Sequence, residues 1–566
     1  MQHPFSPERY VGSVYRVDAG SVDITLPSAG RRALTHHGER LSRGEVGEFL
    51  VIDVGGLGIF GRLSEVWLPA TEREMAEAGP DTDSAMHPVG RVQLLSTLNL
   101  TGAHVRGIVR YPRIGDAAYA ASAEVLSTLI SDNPVAPPEY SPPVVRMGVL
   151  ASHSQVEVSL DARRLFGRHL AVLGATGSGK SWTLAHLVEE VSRVGGKILL
   201  IDATGEFFTL GNLADHIALG TGADRPSNIT RASLPHQTMS ESDLNAFLRP
   251  SSGAQLPKLR EAIRSLRLAY ALGDHELVNE SGCIPKAGRL RKPFFKARRE
   301  HAAVVEAPDS PFDLRALPAQ IQHECIFDTD KQKPERFGSM AGNDVAYCTS
   351  LVSRIYDILQ TQEVMDVLTA TESRPPVFDA IDKFLETKSR HALRISLRSL
   401  PFSHHLREIV VNAIGRRLLE LARSDAFDAR PLVVCVDEAH QFFGQAVGAE
   451  ETAVRLENFE SIAKEGRKYG LTLCMATQRP ADLPAGVLSQ AGMLMVHRLG
   501  DGRDRDRVEQ ASTDLDRSAA KLLPGLTPGE AVFVGVDFPV PVAVRVHEPK
   551  RKPKSEGPKY GTGWKR

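Results

Sequence analysis

The segment Gly174 to Ser181 reads G-A-T-G-S-G-K-S and completes the pattern G-x-x-x-x-G-K-[ST]. Its flanks carry as much information as the match. The run His169-Leu170-Ala171-Val172-Leu173 predicts a buried strand, and Trp182 to Val191 places Leu184, Leu187, Val188 and Val191 at helical spacing. A strand, a glycine loop and a helix in that order confine this part of the chain to an α/β phosphate-binding fold. Gly174, Gly177 and Gly179 let backbone N–H groups curl around phosphate oxygens. The helix that follows points its positive dipole end at the anion. Lys180 is expected to reach the β- and γ-phosphates and Ser181 to hold Mg²⁺. The nucleotide-binding stretch is therefore Gly174, Ala175, Thr176, Gly177, Ser178, Gly179, Lys180, Ser181 and Trp182, with ATP and Mg²⁺ as cofactors.

At 566 residues the chain is too long for one core, and about three or four units are expected. The formal net charge is −1, so a nucleic-acid partner must be met by local patches. Cys283, Cys325, Cys348, Cys435 and Cys474 are scattered without a C-x-x-C pair, which argues against zinc and disulfides and for a reducing compartment. Met1-Gln2-His3-Pro4 lacks a charged segment followed by an apolar core, so no signal peptide is expected. No apolar run approaches the ~20 residues of a membrane span. A cytoplasmic location with no membrane contact follows as the expectation.

Between Tyr10 and Val145, short β-type runs alternate with glycine and polar turns, which predicts a small barrel or sandwich. Pro134 to Pro138 and Pro142-Pro143 read as a stiff linker. From near Arg146, strands are expected at 170–173, 197–201, 432–436, 471–476, 492–497, 529–534 and 540–546. Alternating with helices, they predict a parallel sheet with covered faces. Helical patterns fill much of 235–430, at 240–247, 256–270, 342–359, 377–388 and 406–422. The expected division is a β-barrel domain at 1–140, core at 146–234, a helical insertion at 235–345, core again at 346–548, and a tail at 549–566. Within the insertion, Arg289 to Arg299 is strongly basic with Phe294 and Phe295, which reads either as a nucleic-acid contact or as a solvated basic face. From Lys550 onward the tail holds seven basic residues and one Glu and reads as flexible.

Leu432 to Val436 is an apolar strand ending in Asp437-Glu438-Ala439-His440, a Walker B arrangement. Asp437 is expected to help fix Mg²⁺, and Glu438 to polarise the attacking water. Leu471 to Ala476 runs into Thr477-Gln478-Arg479-Pro480, where the Gln478 amide can sense the γ-phosphate. A P-loop ATPase needs a cation for the charge on the transferred phosphoryl, which ring ATPases take from a neighbour. Arg467 is the first candidate, with Lys468 and Arg498 as rivals. Asp202, at the end of the second core strand, reads either as a member of the magnesium shell or as a turn acid.

Together these segments resemble the HerA family, in the FtsK–HerA branch of RecA-like motors. The resemblance rests on 169–181, Asp202 to Phe207, Val436 to His440, Glu465 to Gly470, Ala476 to Pro480 and Leu523 to Ala531. In the β-rich region it rests on Val11-Gly12-Ser13-Val14 and Tyr111 to Gly115. It implies a RecA-like P-loop ATPase core with an N-terminal small β-barrel and an inserted helical subdomain. It further implies a homohexameric ring that moves along double-stranded DNA with ATP hydrolysis. A partner nuclease, or a sirtuin-like or other antiviral effector, is implied near the N-terminal domain. Carried over, Lys180 and Ser181 bind nucleotide and Mg²⁺, Glu438 is the base, Gln478 the sensor and Arg467 the finger in trans.

Asp437-Glu438-Ala439-His440 also fits the DEAH-box pattern, but only one P-loop core is evident, and those enzymes carry two lobes in one chain. A conjugative coupling ATPase would carry membrane helices. A ring scaffold that regulates an effector, with translocation secondary, is the alternative function. A small-molecule P-loop enzyme is a weaker one, opposed by the β domain, Gln478 and Arg467.

Overall fold

The computed structural model describes residues 4–27, 29, 34–36, 39–41, 44–69, 88–99, 104–130, 143–222, 224–226, 229–448, 453–512, 515, 517–535, 538 and 540–554. The chain forms two compact units, one of residues 1–194 and 476–550, the other of residues 195–475 and 551–566.

The first unit opens with a closed barrel. Strands Ser21–Thr25, Tyr10–Val17, Ala117–Ala120, Phe49–Val54, Leu57–Trp67 and Val89–Asn99 pair in that order, and the last pairs back to the first. Alternate residues point inward, so Val11, Val14, Val22, Ile24, Leu50, Ile52, Ile59 and Val92 fill the interior. Closure removes the unpaired edges that six short strands would otherwise expose. Of the expected linker, Pro134 to Pro138 and Pro142 lie outside the described residues.

The same unit carries a sheet ordered Glu157–Asp161, Val144–Leu150, Val542–Val546, Glu530–Gly535, Ala491–His497, His169–Leu173. Only its last pair is parallel. The others are antiparallel, which corrects the expectation of a wholly parallel sheet. The cause is local. Gly535 to Val542 is too short a connection for a crossover helix, so the two final strands fold as a hairpin.

The second unit carries a parallel sheet ordered Leu471–Thr477, Leu432–Val436, Lys197–Asp202, Ala392–Ser396, Ala214–Leu219, Thr230–Ala232. The unit boundary falls inside the strand Leu471–Thr477. In a parallel sheet every strand ends at the same edge, where functional loops gather. Here that edge carries Asp202, Ser396 and the Asp437-Glu438 pair.

The stretch between 235 and 391 is helical, including Glu241–Leu248, Gln255–Leu272, Arg291–Glu300, Leu317–Glu324, Gly342–Gln360 and Val377–Glu386. Ser240 and Asp243 form a capping box at the start of the first of these helices. Leu268, Ile284, Phe294, Val305, Ile326 and Phe337 form a separate small core. Beside it lies a buried ion pair, Lys286 Nζ to Glu324 Oε2 at 2.5 Å. Ser265 and Gln320 also donate to Glu324, so its carboxylate is satisfied inside apolar surroundings. All five cysteines are free and buried. Among the described residues no helix is long and apolar enough to cross a membrane.

Candidate nucleotide site

The glycine loop follows the buried strand His169–Leu173 and leads into the helix Lys180–Arg193. Two of its glycines are required by close approach. A Cβ on Gly174 would lie 2.6 Å from both Ser178 Oγ and His497 Cβ. Gly179 has φ +117°, and a Cβ there would lie 2.9 Å from Gly529 N. The loop is framed by backbone bonds from Gly174 N–H to Thr477 O (3.2 Å), Ala175 N–H to Arg498 O (2.9 Å) and Gly529 N–H to Ser178 O (2.9 Å). The Ser178 hydroxyl turns inward to Ala175 O at 2.7 Å. Among the described residues, the N–H groups of Thr176, Gly177, Gly179 and Ser181 have no acceptor within the chain. A set of uncommitted amides at a helix N-terminus, with Lys180 in the first turn, suits a polyphosphate.

His497 braces this loop from behind and was not singled out in the sequence. Its ring is fully buried at the end of Ala491–His497. Nδ1 lies 2.8 Å from Glu530 O, and a carbonyl only accepts, so Nδ1 carries the proton. Nε2 is then the acceptor for the Thr183 hydroxyl at 2.9 Å. Burial, with a smaller contribution from the nearby Lys180 ammonium, pushes the imidazole down to about 4. The ring is neutral and spans two elements that frame the loop. A histidine ending an apolar strand carries no sequence signal for that role.

Gln478 extends from the strand that supplies Thr477, and its Oε1 accepts from Thr176 Oγ1 at 2.5 Å. The expected sensor therefore touches the loop itself. Arg498 is exposed beside the loop, its carbonyl taken by Ala175.

The acidic residues lie in the second unit. Asp437 and Glu438 are 2% and 6% exposed at the end of Leu432–Val436. Asp437 N–H donates to Ile201 O at 3.0 Å, extending the pairing with the neighbouring strand. Glu438 sits at φ 49°, left-handed, which costs a non-glycine residue about 1–3 kcal/mol. His440 Nδ1 lies 3.3 Å from Glu438 Oε2. Arg467 and Lys468 are both exposed in the short turn Gly466–Tyr469.

Asp202 requires a correction. Its side chain is fully buried. Oδ1 accepts from Gly205 N–H at 2.7 Å and Glu206 N–H at 3.2 Å. Oδ2 accepts from Phe207 N–H at 3.0 Å and Arg394 Nε at 2.7 Å. Both oxygens are saturated by the protein, so Asp202 anchors the following turn and does not belong to a magnesium shell. Arg394, itself fully buried, also donates to Arg225 O at 3.0 Å. It also lies 3.4 Å from His216 Nδ1 and 3.8 Å from Asp224 Oδ1, so it ties the strand end to the chain around 224–225.

The basic tail begins with placed residues rather than the expected flexible ones. Lys550 N–H meets Glu189 Oε2 and Lys554 N–H meets Glu206 O, each at 3.0 Å. Residues 555–566 lie outside the described set.

An α/β core in which a glycine loop of this geometry follows a buried strand, with a strand-end acidic pair, defines a P-loop ATPase of the RecA-like kind. Residues 145–286 match the model of the HerA helicase central domain, and residues 419–521 match that of the HerA-like C-terminal domain. Both matches are to HerA domains, and together they cover somewhat under half of the chain. The DNA double-strand break repair helicase HerA of Pyrococcus furiosus is 27% identical over 77% of this chain and 73% of its own. A probable helicase of Methanocaldococcus jannaschii is 24% identical over 82% of this chain and 77% of its own. The bacterial conjugative coupling protein TrwB, lacking its first residues, superposes with a TM-score of 0.46 at 16% identity, over 80% of this chain and 96% of its own. That likeness is too loose to carry an argument.

Proposed function

We propose that this chain is an ATP-driven motor on double-stranded DNA, a translocase or helicase that works as a homohexameric ring. The observation that carries the reading is the glycine loop with four amides open to a ligand, in a chain whose relatives are named as DNA repair helicases. ATP with Mg²⁺ supplies, when bound, an activated phosphoryl group. Lys180 neutralises phosphate charge, and Ser181 and Asp437 hold the metal shell. Glu438 takes the proton of the attacking water at its carboxylate, and His440 beside it fixes the carboxylate's orientation. Gln478, hydrogen-bonded to Thr176, responds to the state of the loop. The exposed Arg467 acts on a neighbouring subunit's nucleotide, with Lys468 and Arg498, also exposed, as the rivals.

The domain layout remains part of the proposal: barrel at 1–140, core at 146–234 and 346–548, helical insertion at 235–345 and tail at 549–566. The barrel is the docking place for a nuclease, or for a sirtuin-like or other antiviral effector. The net charge of −1 gives the chain no general hold on DNA and favours one second reading. In it ATP assembles a ring that regulates the effector, and translocation is secondary. Steady-state ATP turnover with and without linear duplex, on a sample of measured mass, separates the two. A hexamer stimulated by duplex supports the motor. A hexamer indifferent to duplex supports the scaffold, and a monomer in the presence of ATP overturns both.

A further inference from the structure

Arg289, Arg291, Lys292, Lys296, Arg298 and Arg299 follow one another with no acid between them. The structure sorts this segment into two faces. On the inner face of the helix Arg291–Glu300, Phe294 and Ala297 enter the small core. Arg298 pairs with Glu261 at 3.0 Å and Glu306 at 3.6 Å. The Arg291 guanidinium lies over the rings of Phe295 and Phe337, at 5.4 and 5.8 Å. These contacts fix the rotation of the helix. They also remove the simplest reading of the two aromatics, because Phe294 is buried and Phe295 leans on Phe294 and Phe337.

The outer face is different. Lys292, Phe295, Lys296 and Arg299 are exposed and spaced i, i+3, i+4, i+7, which makes one stripe. Among the described residues Lys292 and Arg299 have no carboxylate within ion-pair distance. Lys296 reaches only Glu300, at 3.9 Å, with both side chains largely in water, a pair worth little. Like charges at i, i+4 destabilise a helix. An ordinary solvated face relieves that repulsion by interspersing acids, whereas here the acid comes only after the stripe, at Glu300. Lys292 to Arg299 spans about 10 Å of helix. Over that length one strand of a duplex presents about three phosphates.

We propose that the stripe Lys292–Lys296–Arg299 is a nucleic-acid backbone contact additional to the nucleotide machinery, with the Phe295 ring as the apolar platform between the cations. The inference rests on the reading of the chain as a DNA-acting ATPase. The contact is sequence-independent, because three cations bind phosphate and the stripe presents no amide to read a base edge. It supplies hold on the strand without any residue assigned to phosphate, metal or water.

The test uses the full chain and labelled duplex and single-stranded DNA of mixed sequence, with binding followed by fluorescence anisotropy across about 50–200 mM salt. The neutralising triple variant K292Q/K296Q/R299Q should lose about tenfold or more in affinity, and its slope of log K against log salt should be shallower by about 2.7 for duplex. The reversal K292E/K296E/R299E should lose more. ATP turnover without DNA should stay at the wild-type rate in both, which also reports that they fold. Loss on duplex and single strand alike marks a pure backbone contact. Loss confined to single strands places the stripe on a displaced strand. Wild-type binding that survives unchanged in both variants overturns the inference alone, even if an acidic protein partner is lost. A wild-type chain that binds neither form of DNA overturns the functional reading along with it.

Discussion

Two turns in this molecule begin alike and do opposite things. Each leaves the end of a buried parallel strand into a turn that contains glycine, one after His169–Leu173 and the other after Lys197–Asp202. The first, Gly174 to Ser181, leaves four N–H groups without an acceptor among the described residues and places a lysine at the start of the helix that follows. The second, Asp202 to Phe207, gathers three N–H groups onto its own carboxylate, which Arg394 then neutralises. One turn is a receptor for an outside anion, and the other carries its anion within the chain. A strand-end acid in a chain that carries a P-loop is thus not evidence of a metal ligand until its oxygens have been counted.

The largest effect bearing on that contrast is expected from Glu438→Gln. It should lower ATP turnover by about 10²- to 10⁴-fold while ATP still binds, measured by single-turnover hydrolysis and nucleotide titration. Undiminished turnover would remove Glu438 from the chemistry. Lys180→Ala should cost about 10²- to 10³-fold in turnover and weaken nucleotide binding as well, since the open turn loses its cation. Asp202→Asn should destabilise the second unit by about 3–5 kcal/mol, because it removes the closer of the two buried carboxylates facing Arg394 and leaves that guanidinium only Asp224, at 3.8 Å. At a temperature where this variant is folded, its Mg²⁺ requirement should match wild type. A raised Mg²⁺ requirement with unaltered melting would erase the contrast between the turns.

The smallest effect is that of His497→Phe, which keeps the bulk of the brace and loses both hydrogen bonds. It should raise the KM for ATP several-fold with kcat little changed. A fall in kcat alone would mean that the ring acts in chemistry. Its pH signature has a definite sign. The folded imidazole, at about 4, lies below its ordinary value of about 6.5 in the unfolded chain. The folded state therefore binds fewer protons. The contribution is complete above pH 6.5 and is lost as pH falls toward 4, up to about 3 kcal/mol. Wild type should lose melting temperature faster than His497→Phe across that interval.

Much of this was legible beforehand. The P-loop, the acidic strand end and the strand before Gln478 carry pattern and periodicity together, and the structure forms each of those elements. The β-rich region resolved to a barrel because its short strands close on one another. Ala392–Ser396 and Ala214–Leu219 escaped notice for a physical reason. Each is a fully or largely buried strand with a polar residue at its centre, Arg394 in one and His216 in the other. Periodicity scores an arginine as solvent-facing, yet this one is inside because Asp202, nearly two hundred residues earlier, neutralises it. Such compensation between distant residues leaves no local pattern. The same holds for His497, whose partners Thr183 and Glu530 lie far from it in sequence.

The bond from Gly529 to Ser178 has a consequence for how the protein is made. The ribosome completes the glycine loop long before it reaches the residues that frame it from behind. At about 5–20 residues per second, the interval from Ser181 to Glu530 lasts roughly 20–70 s. Through that time the nascent chain holds the nucleotide motif without its supporting wall. Turnover is thereby withheld until synthesis has passed Glu530, and a product terminated before that point would be a poor competitor for ATP.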